Sequence, residues 1–185
     1  MLLDSQWNFV PISPATPLSL VAAAGQSIPS TFTPDLLGLG VGIAPQSIIG
    51  AQSPIFGEDP GLGGTKGQVE VIIGTAFATS NSATLNVALQ AAPDPGSAGN
   101  YTPTTWTTLV ETGPIAASSL TANAIIARFD FPPAMPAGQR PRFFRLYFQV
   151  PAGTNFTAGT IAGAFVTFVR DDQQNRYLQR NYSVS

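Results

Sequence analysis

The chain has 185 residues, a formal net charge of -2, and only 10% charged residues, well below the roughly 25% usual for soluble domains. It contains no cysteine and no histidine, which excludes disulfides and thiolate sites and removes the commonest general base. The 8 basic residues form no run, and no apolar run reaches the ~20 residues that span a membrane. We therefore expect one domain without a nucleic-acid partner or a membrane segment.

The first 35 residues have the pattern of an extended arm. Five prolines interrupt this segment, and proline is confined to turns and strand edges. The apolar side chains of Leu2, Trp7 and Phe9 need a surface to pack on, either on the same chain or on a neighbour. A Gly-rich loop at residues 50–67 carries two further apolar anchors, Ile55 and Phe56.

From Gln68 onward, short runs with alternating apolar and polar residues predict β-strands separated by Gly- and Pro-rich loops. The first four runs are residues 68–73, 84–90, 106–111 and 124–131. In the last of these we expect Ile125, Ala127, Phe129 and Phe131 to face inward. The pattern predicts an all-β jelly roll or β-sandwich. Its parts are the arm (1–35), a sandwich (36–169) and a C-terminal tail (170–185).

Two apolar runs near the C-terminus flank a loop that contains Pro, Gly and Asn, which predicts a central hairpin. In residues 142–150, Phe144, Leu146, Phe148 and Val150 share one parity and should face the core. The other parity is mixed and should face outward, and it contains Phe143, Arg145, Tyr147 and Gln149. Residues 160–169 are apolar on both parities, so another segment or another subunit must cover the outer face. We expect Phe143, Val166 and Phe168 to form a homo-oligomer interface, with a dimer favoured over a trimer.

The residues with reactive or binding chemistry are few. The acidic pairs Glu58–Asp59 and Asp171–Asp172 are each adjacent in sequence, so along a strand their carboxylates point to opposite sides and neither pair makes a site alone. We therefore predict no catalytic, metal or cofactor site. The aromatic residues Trp7, Tyr101, Trp106 and Tyr147 are compatible with a sugar-binding platform, although buried or interface anchoring is their more ordinary use.

Several short motifs occur in an order that resembles the jelly-roll capsid cement proteins of certain tailed bacteriophages, of the Bordetella-phage type. The motifs are MLLDS (1–5), DLLG with GVG (35–42), ATLNVALQ (83–90), RFFRLYF (142–148) and TAGTI (157–161). The chain departs from that family in length, because the loops at 50–67 and 93–103 look like insertions and the tail after Arg170 extends further.

The resemblance implies a structural virion protein without an active site. Such a cement, or decoration, protein is made in the host bacterial cytoplasm, binds the outside of the phage head and bridges major capsid protein subunits of the expanded shell. We expect residues 1–17 of the N-terminal arm and the 50–67 loop to be mobile in the free protein and to become ordered on the capsid. A carbohydrate-binding or tail-associated jelly-roll module is the alternative, and a small hydrolase is the weakest hypothesis.

Overall fold

The computed structural model describes residues 2–12, 17–21, 27–34, 67–93, 103–131 and 141–168, with the backbone alone for residues 2–7 and 168. Within these ranges the chain forms twelve β-strands and one short 3-10 helix, Ala117–Ser119. The strands are β1 (Leu2–Val10), β2 (Leu18–Ser19), β3 (Ile28–Pro29), β4 (Gly67–Ile73), β5 (Ala78–Thr79), β6 (Thr84–Pro93), β7 (Thr107–Glu111), β8 (Ile115–Ala116), β9 (Ile125–Phe131), β10 (Pro141–Gln149), β11 (Phe156–Ala158) and β12 (Thr160–Phe168).

The strands form two main antiparallel sheets. The first sheet has the order β1-β12-β4-β9, and β2 also pairs with β12. The second sheet has the order β3-β10-β6-β7, and β8 also pairs with β6. Strands β5 and β11 make a separate two-stranded ladder. The predicted all-β sandwich of jelly-roll type is confirmed.

Large apolar side chains from both sheets meet in one core. Phe144, Leu146 and Phe148 of β10 are fully buried, as their shared parity predicts. The rings of Phe131 on β9 and Phe144 on β10 cross between the sheets edge to face, with centroids 5.1 Å apart. The inward side chain of Val87 on β6 is buried in the same cluster. The predicted register of β10 is therefore confirmed.

The predicted central hairpin is wrong. Strand β10 lies in the second sheet, between β3 and β6, and β12 lies in the first sheet, between β1 and β4. Both edges of each strand are therefore occupied by other strands. The intervening segment crosses from one sheet to the other and carries β11, which pairs with β5. A short Gly-rich connection between two apolar runs fits either geometry, so the sequence pattern did not separate a hairpin from a crossover.

Strand β12 is covered on both faces, as its apolar character on both parities requires. Ala164 and Val166 belong to the core cluster. On the opposite face Phe165 is only 1% exposed. Ile12 lies over this outer face, since a Cβ atom added at Gly163 would come within 2.8 Å of the Ile12 Cγ1 atom. At this place the cover comes from the same chain, and no second subunit is required.

The N-terminal segment is built into the sheets. Strand β1 forms the edge of the first sheet, with Asn8 opposite Phe165. The Phe32 backbone N–H then donates to the Phe9 carbonyl at 2.9 Å, and the Ser30 N–H donates to the Leu146 carbonyl at 2.8 Å. Residues 27–34 are therefore hydrogen-bonded to β1 of the first sheet and to β10 of the second sheet. Strands β1, β2 and β3 of the predicted arm therefore pack on their own chain, which is one of the two surfaces expected for it.

One inward position of β9 is also corrected. Ala127, Phe129 and Phe131 are buried as predicted, but Ile125 is 42% exposed. The pairing of β4 with β9 is irregular between Val71 and Ile72, opposite this end of β9. An irregularity of this kind reorients the side chains beyond it, and the alternation rule cannot anticipate that.

Candidate functional site

The residues predicted to anchor the chain to a partner are separated by the structure. Phe9 is 0% exposed and belongs to the core of its own chain, so the prediction that Phe9 contacts a partner is corrected. The side chains of Leu2 and Trp7 lie outside the described residues, as do Ile55 and Phe56. The prediction for these four residues, and that of a mobile 50–67 loop, stays a prediction.

The predicted oligomer interface is not a continuous apolar patch. Val166 points into the core cluster and is 1% exposed, because an irregularity between Ile161 and Gly163 shifts the parity of β12. Phe143 is also buried, beneath the guanidinium of Arg142 at 4.7 Å from the ring centroid. The side chain of Phe168 lies outside the described residues. Phe143 and Val166 therefore offer almost no surface to a second copy.

A different set of polar and aromatic residues meets on the outward face of the second sheet. Arg145, Tyr147 and Gln149 alternate with the buried residues of β10, and all three are partly exposed. Strand β6 places Gln90 opposite Arg145 and Asn86 opposite Gln149. Trp106 lies just before β7, the next strand of the sheet. This face, from Trp106 to Gln149, is the candidate functional site and is called the tryptophan–arginine face below.

Arg145 is held in place by two aromatic rings and one amide. Its guanidinium carbon lies 4.2 Å from the centroid of the Trp106 ring and 4.7 Å from that of the Tyr147 ring. The Arg145 Nε donates to Gln90 Oε1 at 2.8 Å, and Gln90 Nε2 donates to Thr108 Oγ1 at 3.1 Å. Burial lowers the pKa of Arg145 from its usual value, and the neighbouring Tyr147 opposes this shift. An arginine side chain remains charged even so.

A second polar network continues along the same face. Asn86 Nδ2 donates to Gln149 Oε1 and to Glu111 Oε2, both at 2.9 Å. Thr112 Oγ1 donates to Asn86 Oδ1 at 3.3 Å. Each of the strands β6 and β10, together with the end of β7, contributes to this network. The side chains are therefore fixed by neighbours on adjacent strands, which gives the face a rigid arrangement.

Several donor groups on this face have no hydrogen-bond partner among the described residues. They are the two terminal nitrogens of Arg145, the Trp106 indole N–H, the Tyr147 hydroxyl and Gln149 Nε2. Within the described part of the chain, the one buried side-chain polar atom without a partner is Asn8 Oδ1. The unpaired donors of the face therefore reach solvent. Among the acceptors, Glu111 has one carboxylate oxygen that accepts no hydrogen bond from the described residues.

The residues of the predicted sugar platform are described only in part. The structure brings Trp106 and Tyr147 together, while Tyr101 and the Trp7 side chain lie outside the described residues. The guanidinium of Arg145 packs on both rings, so one face of each ring is already covered. Sequence reasoning placed Arg145 outward but did not find its contact with Trp106, which is 39 positions away in the chain. The alternation of Arg145 and Tyr147 on β10 was the available signal.

Two of the motifs that carry the family resemblance are neighbours in space. ATLNVALQ (83–90) forms most of β6 and RFFRLYF (142–148) forms most of β10, and these strands pair along their length. The hydrogen bond from Arg145 to Gln90 joins the two motifs directly. Both motifs therefore contribute polar side chains to the tryptophan–arginine face.

The described part of the chain contains no group of three or more His, Cys, Asp or Glu residues that could hold a metal ion. None of its helices has the length and apolar character needed to cross a membrane. In comparisons with known proteins, no protein-family model and no curated protein matches the chain.

Proposed function

We propose that this protein is a capsid cement, or decoration, protein of a tailed bacteriophage. It acts as a structural protein rather than an enzyme, binds the outside of the head and bridges major capsid protein subunits of the expanded shell. The observation that carries the proposal is the pairing of the two family-like motifs on adjacent strands. The Arg145 side chain of one motif bonds to the Gln90 side chain of the other on the outward face. The order in which the other motifs occur along the sequence and the low charge of the chain support the same proposal.

The composition of the tryptophan–arginine face also supports a role in protein binding. Trp, Tyr and Arg are the residue types that most often dominate the energy of protein interfaces. Here Trp106 and Tyr147 pack on Arg145, and the Gln90 amide holds Arg145, so little entropy of the Arg145 side chain would be lost on binding. A rigid β-sandwich that carries such a face is suited to bridging subunits, because many copies act together on one shell.

The direct test uses expanded heads of the source phage that were assembled without this protein. Purified protein is added, the heads are sedimented, and the bound protein is measured against concentration. We expect saturable binding, together with a higher temperature at which the heads release DNA. Unexpanded heads are the matched control and should bind much less. Absence of saturable binding to expanded heads would contradict the proposal.

A carbohydrate-binding module is the second candidate, because Trp106 and Tyr147 share one face with the amides of Asn86 and Gln149. Planar amides and aromatic rings are common in sugar sites, where they supply hydrogen bonds and apolar contact. A glycan array separates the two candidates. Strong binding to one glycan class that is lost in Trp106→Ala, with no binding to heads, would favour the second candidate.

The oligomeric state is part of the proposal. We expect a homodimer in solution, since two-fold dimers are the commonest closed assembly. Phe143 and Val166 do not form the dimer interface, because both side chains are buried in their own chain. Sedimentation equilibrium of the purified protein measures the state directly, and a monomer at high micromolar concentration would contradict the dimer.

A further inference from the structure

The tryptophan–arginine face presents several unpaired hydrogen-bond donors around the positive charge of Arg145, and its one carboxylate, Glu111, is bonded to Asn86. Arg145 has its Nε bonded to Gln90 and its guanidinium packed on Trp106 and Tyr147. Its two terminal nitrogens keep their N–H groups free of partners among the described residues. The indole N–H of Trp106, the Tyr147 hydroxyl and the Gln149 amide add further donors that can reach solvent.

This arrangement differs from that of an ordinary surface arginine. Arg128 on β9 is an ordinary surface arginine, because its Nε lies 3.1 Å from Glu70 Oε1 and its side chain is 57% exposed. Arg145 has no carboxylate partner in the described part of the chain, although its side chain is already ordered. A carboxylate that met the terminal nitrogens would therefore gain two parallel charge-assisted hydrogen bonds without the cost of ordering the arginine.

The size of the face fits a short stretch of polypeptide. Arg145 and Gln149 are four residues apart on β10, which corresponds to about 13 Å at the rise of an extended strand. Trp106 and Tyr147 both pack on Arg145 and supply apolar area next to the charge. An apolar and aromatic surround strengthens an ion pair, because it reduces the exposure of the pair to water.

The geometry points to the tryptophan–arginine face as a docking site for an acidic segment of a partner protein, with one Asp or Glu carboxylate received by the terminal nitrogens of Arg145. The unpaired terminal nitrogens of Arg145 select a carboxylate, and the mixture of Trp, Tyr and Arg selects a protein partner. The inference deepens the proposed function. The assignment of the acidic segment to a protein of the capsid shell rests on that proposed function. Binding of an acidic segment itself can be measured without any shell.

The test is a titration of the full-length, nitrogen-15-labelled protein with a hexaglutamate peptide, followed by NMR. We expect saturable shifts of the Arg145 Nε–H and Trp106 indole N–H signals, and a weakening as salt is added. Arg145→Gln should weaken binding at least about tenfold. Arg128→Gln removes an arginine from the other sheet and should leave binding unchanged. The thermal midpoint of each variant shows that it is folded.

Three results would overturn the inference. The first is the absence of saturable shifts at up to about 10 mM hexaglutamate, which excludes useful affinity. The second is an equal loss of binding in Arg128→Gln, since this would indicate nonspecific charge attraction. The third is tighter, Arg145-dependent binding of a galacturonate oligosaccharide, which would assign the face to acidic sugars instead. Arg145→Lys keeps the charge without the planar fork, so weakened binding in this variant supports the bidentate contact.

The head-binding experiment separates this inference from the proposed function. If wild-type protein and Arg145→Gln saturate expanded heads with equal affinity, the inference is wrong and the cement function stands. If the peptide binds through Arg145 but the intact protein fails to bind expanded heads, the acidic docking site stands and the cement function is wrong.

Discussion

Arg145 and Gln90 lie directly opposite each other on β10 and β6, and the Arg145 Nε donates to Gln90 Oε1 at 2.8 Å. Gln90 is almost buried, so its amide is shielded from water while it orients the guanidinium that packs on Trp106 and on Tyr147. This pair fixes the geometry of the tryptophan–arginine face, and its strength can be measured.

We expect a clear coupling energy between Arg145 and Gln90. A double-mutant cycle with Arg145→Met and Gln90→Ala, followed by urea unfolding, should give about 1–2 kcal/mol, since the bond involves a charged donor and a buried acceptor. The pair of Arg128 and Glu70 is the matched control, with an exposed arginine and an expected coupling of about 0.2–1 kcal/mol. Equal coupling in both cycles would show that the Arg145 side chain is not held by Gln90.

We expect the N-terminal strand to be required for stability. Phe9→Ala should reduce the free energy of unfolding by about 3–5 kcal/mol, because it leaves a cavity in the core. Phe32→Ala is the matched control, since Phe32 is 50% exposed and should cost much less. Chemical denaturation measures both values. If Phe9→Ala is no more destabilising than Phe32→Ala, β1 does not contribute to the stability of the core.

We expect Ser30 to act as a structural link between the N-terminal segment and β10. The Leu146 N–H donates to Ser30 Oγ at 3.1 Å, and Ser30 Oγ donates to the Phe32 carbonyl at 2.9 Å. Ser30→Ala leaves the buried Leu146 N–H without this acceptor, which should cost about 1–3 kcal/mol. Ser118→Ala, at an exposed position of the 3-10 helix, is the control and should be close to neutral.

Hydrogen exchange gives a local readout of the same link. The Leu146 amide should exchange faster in Ser30→Ala, while amides in the centre of β6 keep their protection. Unchanged protection at Leu146 would mean that another acceptor replaces the Ser30 hydroxyl.

We expect Gly159 to be needed at the turn between β11 and β12. Its φ of 141° is strained for any other residue, and a Cβ atom at this position would overlap the Phe77 ring. Phe77 packs edge to face on Phe156 at 4.7 Å, so it has little room to move. Gly159→Ala should cost roughly 2–5 kcal/mol from backbone strain and overpacking together.

Gly153→Ala separates the two causes. Gly153 also has a positive φ, of 79°, but a Cβ atom there would meet nothing within 4 Å. This variant should cost about 1 kcal/mol from the backbone alone. A cost for Gly159→Ala as small as that for Gly153→Ala, in thermal or chemical unfolding, would show that the Phe77 ring yields easily.

The sequence alone determined the class of fold and the inward face of the regular strands. Side chains alternate along a strand whatever lies next to it, so the parity of Phe144, Leu146 and Phe148 was enough to predict the core face of β10. The same rule predicted that Arg145 and Tyr147 face outward. It also required that both faces of β12 be covered.

The tertiary structure alone decided which strands pair and which distant residues meet. Alternation is a local property, whereas pairing depends on the edges that other strands occupy, so β10 and β12 looked like a hairpin but lie in opposite sheets. Irregular pairing moved Val166 into the core and Ile125 out of it, because a shift in register exchanges the faces of a strand. The contact of Arg145 with Trp106 arises from three neighbouring strands, and no local pattern in the sequence encodes that neighbourhood.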